Sequence, residues 1–114
     1  MKVTCGAEEP ERCNQGFTVA ATALAAGAEV SLWLTGEAAW FGVPGQAEAF
    51  VLPEAAPLAE LLEAVLAGGR VTVCTQCAAR RGIGAGDVRP GIRIAGAAVF
   101  TEEVLAEEAQ ALVY

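Results

Sequence analysis

Leu58-Ala59-Glu60-Leu61-Leu62-Glu63-Ala64-Val65-Leu66-Ala67-Gly68-Gly69-Arg70-Val71-Thr72-Val73-Cys74-Thr75-Gln76-Cys77 is the stretch on which the fold turns. Leu58, Leu61, Leu62, Val65 and Leu66 recur at i, i+3, i+4, i+7 and i+8, which lays one apolar stripe along a helix. Gly68-Gly69 ends that helix. Arg70 to Cys74 then reads as a strand, and residues 78–81 as a short helical turn stopped by Gly82 and Gly84. Helix, strand and helix follow one another with almost no loop between them.

The same rhythm extends in both directions. Lys2-Val3-Thr4 reads as a first strand and residues 6–10 as a loop. Residues 11–26 are helical: Pro10 suits a helix start, and Glu8, Glu9 and Glu11 favour its positive end. Phe17, Ala20, Ala21 and Leu24 form its apolar face, and Gly27 is its C-cap. Residues 29–34 make the second strand. Residues 35–57 are a long excursion carrying Trp40, Phe41 and Phe50, read as a functional or interface loop or as a short helix packing those aromatics. Residues 92–95 are the fourth strand. Thr101 is expected to cap a last helix, with Glu102 and Glu103 in its first turn and Val104, Leu105 and Ala109 facing inward. Residues 111–114 close the chain as a fifth short strand. Strands alternating with helices imply an α/β fold with a mainly parallel five-stranded sheet covered on both faces. In such sheets ligands and reactive groups gather beyond the carboxyl ends of the strands.

At 114 residues, positions 1–114 form a single domain. Hydrophobic residues make up 54% of the chain, more than the interior of so small a monomer absorbs, and a homo-oligomer is expected. The net charge of −7 repels phosphate backbones and anionic membrane surfaces, so neither nucleic acid nor membrane is an expected partner. Residues 17–34 are apolar, but Gly27, Glu29 and Ser31 interrupt them, and they read as helix plus strand rather than a membrane span. No secretory leader is read at the start, and the expected compartment is the cytoplasm, where cysteines stay as thiols or bind metal.

The four cysteines carry the chemistry. Cys74-Thr75-Gln76-Cys77 sits at a strand-to-helix junction, where unpaired amides and a helix dipole lower a thiol pKa. Arg81 lies four residues after Cys77, one helical turn on, and Arg80-Arg81 is the only adjacent pair of cations. Four readings stand side by side. Cys74 or Cys77 accepts and passes on sulfur as a persulfide. The pair is a dithiol–disulfide redox couple, though the aromatic and Gly-Pro or Pro-His surroundings of a thioredoxin-type pair are missing. Cys5 and Cys13 join the pair in a metal site, though seven residues separate them and the chain has no His. Or all four are small apolar residues at tight places. The lack of His removes Cys–His and Ser–His–Asp nucleophiles, which suits thiol chemistry better than hydrolysis. Gly82-Ile83-Gly84-Ala85-Gly86 lacks the spacing of a phosphate-binding loop and reads as a turn. Glu102, Glu103, Glu107 and Glu108 read as a solvated helix face.

Val73-Cys74-Thr75-Gln76-Cys77-Ala78-Ala79-Arg80-Arg81-Gly82-Ile83 resembles the cysteine segment of the DsrE/DsrF/TusD-like sulfur-relay family. The opening Lys2-Val3-Thr4 and Gly6-Ala7-Glu8-Glu9-Pro10-Glu11-Arg12, the strand ending in Thr35-Gly36, and Gly91-Ile92-Arg93-Ile94-Ala95-Gly96 are similar to it as well. The resemblance implies a three-layer α/β/α sandwich, assembly as trimers or hexamers, and sulfur-relay protein partners. It also implies persulfide transfer, and no cofactor or metal is expected. It places the acceptor on Cys74 with Cys77 as second thiol. Arg80 and Arg81 would favour the thiolate, and the turn around Thr75 and Gln76 would help hold it. Cys5 and Cys13 lie outside the family pattern. The alternative is a non-catalytic oligomeric subunit, or a metal-binding or redox-switch module, in which the cysteines are structural.

Overall fold

The computed structural model describes residues 1–114. The chain runs β1 (Lys2–Val3), α1 (Pro10–Ala25), β2 (Ser31–Leu34), a 3-10 helix (Gly36–Gly42), α2 (Leu58–Gly68), β3 (Arg70–Cys74), α3 (Thr75–Arg80), β4 (Ile92–Ala95) and α4 (Ala97–Val104). The strands pair in chain order, β1-β2-β3-β4, and every pair is parallel. Crossovers between parallel strands are right-handed. Strands laid down in sequence therefore send α1 and α2 to the same face, and the two helices pack on each other there.

Strand alternation divides the side chains between the two faces. Val3, Leu32, Leu34, Val71 and Val73 share one face and are all buried, together with Phe17 and Ala20 of α1 and Leu58, Leu62 and Val65 of α2. This is the core. The other face carries Lys2, Trp33, Thr72 and Arg93 in one register row. Only α4 covers it, and no residue of α4 is fully buried. Phe100 of α4 meets Trp33 edge-on at 5.3 Å between ring centroids. Glu103 accepts hydrogen bonds from Ser31 Oγ and Trp33 Nε1, each at 2.7 Å, and pairs with Arg93. Arg93 Nε in turn donates to Thr72 Oγ1 at 2.8 Å. A polar row on a sheet needs such partners, because each buried donor left unpaired costs about 1–3 kcal/mol.

The sheet has four strands, not five. Residues 111–114 touch β1 through one parallel bridge, Lys2 with Val113. Lys2 N–H donates to the Leu112 carbonyl at 2.8 Å and Tyr114 N–H to the Lys2 carbonyl at 2.9 Å. β1 is two residues long and offers too short an edge for more, and Leu112 and Val113 have no covering layer and stay exposed. The last helix also differs from expectation. Gly96 is extended at the end of β4 and the helix starts at once, so Thr101 falls inside it and Glu103 in its last turn. Leu105 and Ala109, expected to face inward, are exposed because the helix has ended before them.

The excursion after β2 opens with the 3-10 helix, which buries Ala38, Ala39 and Phe41. Phe41 meets Phe17 and Phe50 edge-on. Arg89 pins the rest: its amide donates to the Gly42 carbonyl at 2.8 Å, and its guanidinium pairs with Glu48 and with Glu63 of α2.

Candidate functional site

A parallel sheet delivers the ends of all its strands to one edge. Cys5 follows β1, Thr35-Gly36 follows β2, Cys74 ends β3 and Gly96 follows β4. Cys74 has extended backbone (φ −64°, ψ 127°) and immediately precedes α3. By alternation with Thr72 it belongs to the polar face, and it is half-buried. Together with Lys2, Trp33, Thr75, Gln76 and Phe100 it lines a cleft of about 270 Å³ closed at one side by Gly96 and Ala97.

The two thiols of the pair are driven apart in acidity. Burial by itself pushes Cys74 up. The first-turn amides of Cys77 and Gln76, the Cys77 thiol and the Lys2 charge outweigh it, and Cys74 ends below the ordinary cysteine value. No side chain caps α3, so those amides remain directed at the sulfur as dipoles. Cys77 goes the other way. Burial pushes it up, the Gly36 amide opposes, the Cys74 charge and the hydrogen bond to Cys74 push it further, and Arg81 opposes; the net direction is up. The Gly36 amide donates to Cys77 Sγ at 3.2 Å. The result is a short relay from an amide, through a buried thiol, to the more acidic thiol at the cleft.

The other residues singled out from sequence fall at different distances from this centre. Thr75 and Gln76 are exposed on the cleft rim. Arg81 is largely buried, donates from Nη1 to the Cys77 carbonyl at 3.1 Å, and pairs with Glu37 of the 3-10 helix. Its charge reaches Cys77. Arg80 is exposed and makes no ion pair. Lys2, Gly36 and Glu37 complete the arrangement and were not assigned from sequence. The signal for Gly36 lay in its place two residues after a strand; for Lys2 there was none before the strand order was known.

Cys5 and Cys13 are both buried. Burial first, then Cys5 and Glu8, push the Cys13 thiol up to about 12, and burial raises Cys5 as well. Thiols held protonated inside a core behave as small apolar side chains. No three side chains among His, Cys, Asp and Glu converge as metal ligands, so the four cysteines do not assemble into one site. A larger cleft of about 730 Å³ under α4, lined by Val30, Trp33, Arg70, Glu103 and Leu112 among others, holds no thiol.

The model of the DsrE/DsrF-like family matches residues 2–112, nearly the whole chain. No curated protein matches it.

Proposed function

The chain belongs to the DsrE/DsrF-like family, and from that premise we propose that it is a sulfur carrier that takes up sulfane sulfur as a persulfide on Cys74 and passes it to a partner protein. The family is associated with sulfur relay. The observation that carries the reading is the geometry of the pair: Cys74 opens on a cleft, and Cys77 lies buried behind it, held by the Gly36 amide.

The chemistry needs no histidine. The Cys74 thiolate attacks the terminal sulfur of a donor persulfide, a new S–S bond forms, and the donor thiolate leaves with the electron pair. In the return step an acceptor thiolate attacks that terminal sulfur, and Cys74 leaves as thiolate. A depressed pKa serves both directions, since it enriches the nucleophile and improves the leaving group. In this reading Cys77 supplies a hydrogen bond to whichever charge Cys74 bears. Arg81 and, from further out, Arg80 favour negative charge at the pair, and Thr75 and Gln76 frame the cleft. The exposed Val51, Leu105, Leu112 and Val113 support the further parts of the proposal, a homotrimer or homohexamer that meets relay proteins. The free thiols are in keeping with a cytoplasmic setting.

The contact between the two thiols also favours a second reading, a redox switch that closes as a Cys74–Cys77 disulfide. Intact mass spectrometry after incubation with a sulfane-sulfur donor separates the two. The carrier gains one reducible sulfur atom, and the gain is absent in Cys74→Ser. A switch loses two hydrogens and gains no sulfur. Reduced, folded wild-type protein that takes up none is not a carrier.

A further inference from the structure

In a chain of net charge −7, free positive charge is scarce. Arg12, Arg70, Arg81, Arg89 and Arg93 are each held by a glutamate. Among the lysine and arginine side chains, only Lys2 and Arg80 have no carboxylate partner. Arg80 points away into solvent from the end of α3, whereas Lys2 lines the cleft of Cys74. Its Nζ stands 5.1 Å from the centroid of the Phe100 ring, which forms another wall of the same cleft. A ring face steadies an ammonium without neutralising it. The backbone of Lys2 is fixed on both sides, by its register with Trp33 and by its hydrogen bonds to Leu112 and Tyr114. The cleft therefore holds one anchored, uncompensated cation beside one nucleophilic sulfur.

We propose that Lys2 determines which sulfur donors the Cys74 cleft accepts, by binding the anionic end of a small sulfane-sulfur donor of the thiosulfate kind. The proposal rests on the carrier reading of Cys74. Attack of a thiolate on an anion is opposed by like-charge repulsion, and a cation placed between the two relieves it. For thiosulfate the step balances as written. The Cys74 sulfur bonds to the outer sulfur of thiosulfate. The S–S bond of thiosulfate breaks, and its electron pair leaves with sulfite. Cys74 is left as a persulfide anion. Total charge is unchanged, and no outside oxidant or reductant enters. Lys2 meets the oxyanion end of the donor and then the charge of the departing sulfite. Neutral donors gain nothing from it.

The test compares two alkylating agents that differ in charge. Iodoacetate is an anion and iodoacetamide is neutral, and both react only with the thiolate, so the ratio of their rates at Cys74 is independent of thiol pKa. Peptide mapping follows Cys74 in wild type, Lys2→Met and Lys2→Arg. The expected result is a fall of roughly fivefold in the iodoacetate-to-iodoacetamide ratio in Lys2→Met, with Lys2→Arg close to wild type. The KM for thiosulfate in sulfur uptake rises in Lys2→Met by a similar factor, with a smaller change in kcat. An unchanged ratio overturns the proposal, and so does an equal fall for both reagents. Wild type that takes up sulfur from a persulfide donor but none from thiosulfate overturns the proposal for Lys2, and wild type that takes up sulfur from neither overturns the carrier reading.

Discussion

The amide of Gly36 donates to the sulfur of Cys77 across 3.2 Å, between residues 41 positions apart in the chain. The backbone at Gly36 is left-handed, with φ of +52°, and a Cβ there would lie 2.2 Å from the Thr4 carbonyl oxygen. The loop after β2 thus reaches the buried thiol only because this position has no side chain.

Gly36→Ala is therefore expected to be costly. A left-handed conformation alone costs a side chain about 1–2 kcal/mol, and the contact with Thr4 adds to it. Urea unfolding should show a loss of roughly 2–4 kcal/mol. A loss below about 0.5 kcal/mol would mean the loop moves freely and the amide is not held on Cys77.

The acidity of Cys74 should be visible in its reactivity. Alkylation follows the thiolate fraction, so its pH midpoint lies below the ordinary cysteine value of 9.0. In Cys77→Ala the thiol donor is gone and the midpoint moves up. The sign for stability follows. A depressed pKa stabilises the folded protein fully above the unfolded value, and that contribution disappears as pH falls through the folded one. The unfolding free energy of wild type relative to Cys74→Ser should accordingly fall as pH drops across that interval. A midpoint at or above the free-cysteine value contradicts the arrangement.

Arg80 and Arg81 are neighbours in sequence and should behave as opposites. Arg80→Ala removes an exposed, unpaired side chain, and stability should stay within about 0.5 kcal/mol. Arg81→Ala breaks the bond to the Cys77 carbonyl and the pair with Glu37, and leaves a space beside α3. A loss of about 1–3 kcal/mol is expected. Thermal melts of the two variants side by side settle it, and equal effects would refute the distinction.

Glu103→Gln tests the polar sheet face. Burial raises the Glu103 carboxyl, but the bonds from Trp33, Ser31 and Arg93 outweigh it and hold it below the ordinary value of 4.5. Its stabilisation is fully present above that value and is lost as pH falls through the depressed one. At pH 7 the variant should be less stable than wild type by roughly 1–2 kcal/mol. In acid the difference should shrink. Urea titrations at pH 7 and pH 3 give both numbers, and a gap that does not narrow would argue against an ionised Glu103 as the acceptor.

Much of the fold was legible because its signals are local. The leucine stripe of α2 and the junction at Gly68-Gly69 needed no tertiary information, and β3 and β4 lie where their composition puts them. The failures came where position depends on what a segment meets. Thr101 has the chemistry of a cap, but Gly96 had already turned the chain into α4. Residues 111–114 have the composition of a strand and found only a two-residue edge. At the site, Cys74 and Cys77 could be picked from spacing. Their inequality could not, since it arises from the burial of Cys77, from the amides and the Cys77 thiol directed at Cys74, and from Lys2 on another strand of the sheet. Arg81 stood out from Arg80 by its place one helical turn after Cys77, but its pair with Glu37 on another segment was not visible in one dimension.

The parallel edge has one more consequence. Cys5, Gly36, Cys74 and Gly96 sit at or just beyond the ends of four different strands, while Val3, Leu32, Leu34, Val71 and Val73 make the core from the strands themselves. Changes at Cys74 and at the exposed Thr75 and Gln76 beyond it can accumulate with little disturbance to the interior that keeps the protein folded, whereas Gly36 and the buried Cys5 are tied to it. Such a scaffold lets descendants acquire, exchange or lose a reactive group while the architecture is inherited intact.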